Sequence, residues 1–383
     1  KANKASPNIQ ENVKKARRAA YSLLRVGLHG LNGLDPAAAF KIIQTYVTPR
    51  LIHGLDAIVP SAHDMKIIDM FYKKILRQIQ TLPDNVATEA IYLLLEASPI
   101  EYQVHYKALS LFGSISRLPR THSLFQLANR QLATQWQNKN SWFYYILKLG
   151  VSYDIDIFSA IRMPGTKVEW KAKIKKAIYE TAKIKLIHSA SIKSTLKWWI
   201  WPSSISSNIQ FLWRCCEGKQ NKIEAASVRA RMLCGRFRTR EEECRLKIGL
   251  DTNKNCPLCN VETEDIFHLI ARCSKTEDIR NQKIGQLKEI YEEDGKLPPI
   301  TDSEICSAVL NGWKYARTTS SNQQCDRAMT YSSKNSFSSS CRTVDVTNPV
   351  ELSTQRSVFR ANSLCSCICY LLASRRDHII STL

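Results

Sequence analysis

The 383-residue chain holds no run of roughly 18 apolar residues, so nothing in it reads as a membrane-spanning helix. Nor does an apolar core follow its charged opening, KANKASPNIQENVKKARRAA, which argues against a secretory signal there. A nuclear or cytoplasmic location is therefore expected, not a secreted or membrane-bound one. No two aspartates are adjacent anywhere, which removes the paired carboxylates that two-metal chemistry draws upon. Acidic residues are scarce overall, 34 against 55 Lys and Arg, leaving a formal net charge of +21 and a pI near 9.5. Such a balance anticipates a polyanionic partner, most simply nucleic acid. Cysteine is plentiful, but its count of 13 is odd and its distribution uneven, and the chain is far longer than disulfide-dense scaffolds. Reduced thiols fit better. The chain opens on Lys1 rather than Met, as a piece of a longer product would.

The most specific chemical signal is the run CPLCNVETEDIFHLIARC, a C-x2-C-x8-H-x4-C array built from Cys256, Cys259, His268 and Cys273. Two thiolates two residues apart reach one ion from adjacent corners of a tetrahedron, a recurring element of structural zinc sites. His268 and Cys273 supply the other corners. With EDIFHLIARC read as one short helix, they lie about one and a half turns apart, which suits a shared ion if the helix end relaxes. Four protein ligands leave no open position, so the expected zinc is structural rather than hydrolytic. Charged residues Glu262, Glu264 and Asp265 occupy the spacer. Three further cysteines, Cys365, Cys367 and Cys369, alternate without a histidine at ligand spacing and read as buried apolar thiols.

Apolar residues recur at helical spacing through most of the first 300 positions. Val13, Ala16, Ala20, Leu23, Leu24 and Gly27 share a face opposite Lys14, Lys15, Arg17 and Arg18. Asp35 and Pro36 read as an N-cap and first helical residue, and Ser61 with Asp64 as a capping box ahead of Ile68, Phe71, Tyr72, Ile75 and Ile79. Pro49 is expected to kink or end its helix. Ser98 and Pro99 open a further helix carrying Val104, Ala108, Leu111, Phe112 and Ile115 inward. Between Arg162 and Lys247 stand 20 Lys and Arg against 7 Asp and Glu, so this stretch supplies most of the excess charge. Lys171, Lys173, Lys175 and Lys176 stud a helix whose other face holds Trp170, Ile174, Ile178 and Thr181. Arg229, Arg231, Arg236, Arg238 and Arg240 flank Phe237 and are expected to hold phosphate. Trp198, Trp199 and Trp201 read as a hydrophobic anchor, the alternative being a surface on which unpaired bases stack. From Thr318 to Thr354 the composition turns to Ser, Thr, Asn and Gln, and disorder is expected. A mainly α fold follows: a helical bundle over 1–120, a basic helical linker over 121–250, a small zinc module over 251–315, and a low-complexity tail over 316–383 with a possible terminal helix.

The stretches NVKKARRAAYSLLRVGLHGLNGLDP, QTYVTPRLIHGLDAIVP, FYKKILRQIQTLP and EASPIEYQVHYKALSLFGSI, followed by the cysteine and histidine array, resemble the region after the palm in reverse transcriptases of non-LTR retrotransposons. The likeness covers roughly residues 8 to 275. It implies a thumb gripping the template and primer duplex, then a basic linker, then a zinc module that binds nucleic acid during target-primed synthesis. On that basis Arg17, Arg18, Lys73, Lys74 and Arg77 are expected on the duplex-facing surface. RNA and DNA, as a hybrid and largely without sequence preference, are the expected partners; no small-molecule substrate is implied.

Departures from that family bear on activity. Its polymerases carry a Tyr-x-Asp-Asp turn for two magnesium ions, whereas Tyr153, Asp154, Ile155 and Asp156 separate the carboxylates and read as a loop. Magnesium would belong only to a palm that is missing here, so the chain is expected to bind without polymerising. No Pro-Asp nuclease pattern follows Cys273 either. The eight-residue spacer before His268 is longer than the four of retroviral knuckles. A different class remains open: a non-catalytic, zinc-containing scaffold for protein interaction, domesticated from such an element.

Overall fold

A computed structural model describes residues 5–30, 33–134, 141–200, 211–247, 253–312 and 349–382. The fold is mainly α, and the one β pairing among the described residues is an isolated bridge between Asn255 and Thr263. No helix among those residues is long and apolar enough to cross a membrane. The chain divides into two compact units, Lys1–Ser194 and Thr195–Pro202 with Phe211–Leu383. This boundary cuts through the basic linker expected over 121–250. The reason is that charge marks only the solvent side of a helix, while the apolar stripe beneath decides which core it joins.

In the first unit, α1 (Ala5–Ser22) buries Ile9, Val13, Ala16 and Ala20. It packs on α4 (Ala62–Ile79) and on the α2 (Pro36–Ile42) to α3 (Thr48–Leu51) segment. Asp35 caps α2 by accepting from Ala38 N–H at 3.0 Å, and Ser61 with Asp64 forms the capping box of α4. The helix does not end at Pro49, which stands inside α3. Residues Ile43–Val47 widen into a π-helical turn just before it, and the helix resumes at Thr48.

Two helices, α5 (Thr88–Leu95) and α6 (Ile100–Ser116), pack on α4. A second apolar core then joins α6 to α7 (Ser123–Ala133), α8 (Trp142–Ser152), α9 (Ile157–Arg162) and α10 (Lys167–Ser191). Thr166 and Glu169 form a capping box at the start of α10. Trp170, Ile174, Ile178 and Ala182 are its buried stripe, and Trp170 Nε1 donates to Leu109 O at 2.9 Å. The indole fits only because residue 113 is glycine, since a Cβ there would sit 2.1 Å from Trp170 Nε1. Gly113→Ala should therefore destabilise the first unit by about 1–3 kcal/mol, the usual cost of overpacking. Urea denaturation followed by the fluorescence of Trp170 checks this; an unchanged midpoint would refute the close approach. Asp156 caps α9 through Ser159 N–H at 2.9 Å, and Tyr153 bonds His105 at 2.6 Å, so the Tyr-Asp-Ile-Asp segment is a loop as expected.

The second unit contains α11 (Phe211–Arg214), α12 (Gln220–Leu233), α13 (Arg240–Leu246), α14 (Glu277–Glu293), α15 (Asp302–Asn311) and α16 (Pro349–Thr382). The stretch expected to be disordered lies outside the described residues up to position 348, but from Pro349 the chain is helical. This terminal helix packs on α11, α12, α14 and α15, burying Ala361, Cys365, Ile368, Cys369 and Leu372. Burial pushes the Cys365 thiol up to about 11 and that of Cys369 to about 12, so both behave as inert apolar groups.

Candidate metal centre

The C-x2-C pair is presented by a minimal hairpin. Cys256 N–H donates to Glu262 O at 2.7 Å, Asn260 N–H to Cys256 O at 2.8 Å, and Glu264 N–H to Lys254 O at 2.8 Å. Asn260 adopts φ +56°, the left-handed backbone that lets the chain reverse tightly after Cys259. His268 and Cys273 come from the next element, a π-helical turn over His268–Arg272. Here Cys273 N–H donates to His268 O at 2.8 Å, five residues back. That wider turn brings the two side chains onto one side, and it is the relaxation that their spacing in a regular helix required.

The four ligand atoms of Cys256, Cys259, His268 and Cys273 all lie within 4.8 Å of one another. Cys256 Sγ is 3.9 Å from Cys273 Sγ, and Cys259 Sγ is 3.4 Å from His268 Nε2. A tetrahedron with metal–sulfur bonds of about 2.3 Å and metal–nitrogen bonds of about 2.0–2.1 Å has edges of about 3.8 and 3.6 Å. The spacing suits one shared ion. Cys256, Cys273 and His268 are buried. Cys256 is pushed up to about 12, first by its hydrogen bond with Cys273 and then by burial, while that same bond holds Cys273 below the usual thiol range. His268 is raised to about 9, chiefly by its bond to Cys256. Protons and a metal ion therefore compete for these atoms.

Glu262 and Asp265, which the sequence marked only as charged spacer, orient the histidine. Glu262 Oε2 lies 3.0 Å from His268 Nδ1, an arrangement that turns Nε2 toward the thiols. Asp265 Oδ1 accepts from the His268 backbone N–H at 2.6 Å. Glu264 does something else. It is fully buried, accepts from Arg376 Nε at 2.6 Å and Nη2 at 3.2 Å, and accepts from the Arg240 backbone N–H at 2.7 Å. One carboxylate thus ties the hairpin to the start of α13 and to the terminal helix. Arg375 reinforces this by pairing with Asp278 on α14.

The basic residues fare unevenly. Arg229, expected to hold phosphate, is instead buried and hydrogen-bonded to Leu310 O at 3.0 Å, Asn362 O at 3.0 Å and Asn362 Oδ1 at 3.3 Å. Its aliphatic stem and fork of donors make it a clamp between α12 and α16. Arg236 pairs with Glu242 at 2.6 Å, and Arg240 approaches Glu243 at 3.7 Å, so α13 glutamates neutralise much of this cluster. Arg231 is half-buried; Arg238 is mostly exposed but lies 3.7 Å from Glu243. In the first unit Lys73 pairs with Asp69 at 2.8 Å and Arg77 with Asp84 at 3.1 Å, whereas Arg17, Arg18 and Lys74 are exposed or nearly so. Lys171, Lys173, Lys175 and Lys176 are all exposed along α10, and among the described residues no ion pair engages them. Of the three tryptophans, Trp199 is buried, Trp198 is half-buried, and Trp201 lies outside the described residues. No family model matches the chain, and no curated protein or solved structure matches it either.

Proposed function

We propose that the chain is a nucleic-acid-binding part of a non-LTR retrotransposon reverse transcriptase, with a structural zinc in its second unit and no polymerase palm. Zinc is the ion that three thiols and one imidazole at tetrahedral spacing favour, because soft sulfur ligands and closed four-coordination suit it. The observation that carries the binding role is the exposed lysine row of α10, Lys171, Lys173, Lys175 and Lys176, set on a helix whose opposite side is locked into the core. Side chains of this kind meet backbone phosphate without reading bases, so RNA, DNA and their hybrid are all expected ligands. A buried apolar stripe beneath the lysines keeps the row rigid.

Titrating the full chain against an RNA/DNA hybrid across a salt series tests this. Affinity should fall steeply with salt. Replacing the four lysines with glutamine should make log affinity against log salt shallower, by about 0.9 for each phosphate that is no longer neutralised. Binding indifferent to salt and to the substitutions would refute the role. It would favour a protein-docking scaffold, a reading that the exposed apolar residues Met163, Val168, Ile184 and Ile192 support. The family reading has its own test, since an upstream continuation of the reading frame should encode Tyr-x-Asp-Asp. An unrelated domain there would overturn it.

A further inference from the structure

Two aromatic rings meet beside the metal centre. Trp198 and Phe267 stack with centroids 5.7 Å apart and planes inclined by 11°. Phe267 immediately precedes His268, so the stack is fixed to the turn that carries two of the four ligands. Each ring also has a cation over it, Lys197 Nζ at 5.5 Å from the Trp198 centroid and the Arg272 guanidinium at 4.8 Å from that of Phe267. Both rings are half-buried, and both cations are exposed.

The backbone behind the indole is held firmly. Asn311 Nδ2 donates to Trp198 O at 2.7 Å, and its Oδ1 accepts from Ile200 N–H at 2.8 Å, while the neighbouring Trp199 is buried. Trp198 Nε1 itself is buried, and among the described residues no acceptor meets it. That nitrogen adds nothing to packing, since a buried donor without a partner costs free energy. What the indole adds is the larger π face.

We propose that Trp198 and Phe267, flanked by Lys197 and Arg272, form a stacking site for an unpaired nucleotide base, with the two cations meeting its neighbouring phosphates. Flat rings bordered by positive charge suit a ligand that is planar and anionic together, which describes a single nucleic-acid strand; a basic peptide would be repelled by the same cations. Arg272 already shares Asp302 at 3.4 Å, so Lys197, on its flexible stem, is the cation better placed to move from ring to phosphate. This site rests on the nucleic-acid reading above and assigns it a second ligand: single strands here, duplex backbone on α10.

The experiment uses the full, zinc-loaded chain and four labelled probes: oligo(U), oligo(dT), an abasic oligomer of equal length and charge, and an RNA/DNA hybrid. Base-bearing strands should bind more tightly than the abasic one, by roughly five- to hundredfold per stacked base. Trp198→Ala should bring them down to the abasic level with metal content and hybrid affinity unchanged, whereas Trp198→Phe should keep most of the preference. Equal binding of base-bearing and abasic strands by the unaltered chain overturns the site. So does a Trp198→Ala chain that weakens both equally. Should that variant shed its metal, Phe267→Leu decides: a retained preference for bases overturns the proposal, and its disappearance supports it. Failure of the hybrid to bind at all would instead count against the broader reading.

Discussion

Cys256→Ser should yield a protein without the zinc ion, about one per chain, that the unaltered protein is expected to carry. Cys256 is completely buried, and it is tied by its own backbone to Glu262, the residue that orients His268. Losing one thiolate leaves three ligands and a weak hydroxyl, so the ion departs and the hairpin loses what closes it. Metal-driven folding of isolated zinc peptides involves about 10–16 kcal/mol of apparent binding energy. Here α14, α15 and α16 also pack around the π-helical turn, so the expected outcome is a loosened second unit rather than full unfolding. Elemental analysis together with limited proteolysis checks this. Cleavage should appear between positions 253 and 276 while the first unit stays resistant; equal metal content in the two proteins would rule the site out.

The second large effect is expected at Arg376. Removing it by Arg376→Ala leaves Glu264 fully buried, with only the Arg240 backbone N–H among the described residues as its remaining charge-stabilising partner. Breaking one side of such a pair typically costs about 3–5 kcal/mol, because the surviving ion keeps its desolvation penalty without its partner. Urea denaturation monitored by far-UV circular dichroism should show that loss. Glu264→Gln combined with Arg376→Met should recover much of it, since neither residue then carries a buried charge. If the double variant proved no more stable than Arg376→Ala, the carboxylate would not be the source of the cost.

Local signals in the sequence proved readable wherever their physics is local. Asp35, the Ser61 and Asp64 capping box and the stripe through Ile68, Tyr72, Ile75 and Ile79 all depend on residues within one or two turns and appear as expected, whereas Phe71, expected in the same stripe, is only half-buried. The cluster of Cys256, Cys259, His268 and Cys273, which could hold a metal ion, was legible for the same reason, with the π-helical turn supplying the one adjustment their spacing demanded. What escaped notice is long-range. Glu264 and Arg376 stand 112 positions apart, and no periodicity relates them. Arg229 looked like one more member of a phosphate-binding cluster, because composition registers a guanidinium but not the carbonyls of α15 and α16 that surround it. The break between units at Ser194 was hidden similarly, since lysines dominate both sides of it.

The Glu264 pairing also imposes an order on how this protein is made. Synthesis proceeds from the amino terminus, and domains tend to fold as they emerge. The first unit is essentially complete by Ser194, so it can close while the ribosome is still working. The carboxylate of Glu264 leaves the ribosome long before Arg376, and until that arginine arrives it has no reason to leave water. Final closure of the second unit is therefore a late event, and a nascent chain halted after α15 would present α12 and the metal hairpin without their lid.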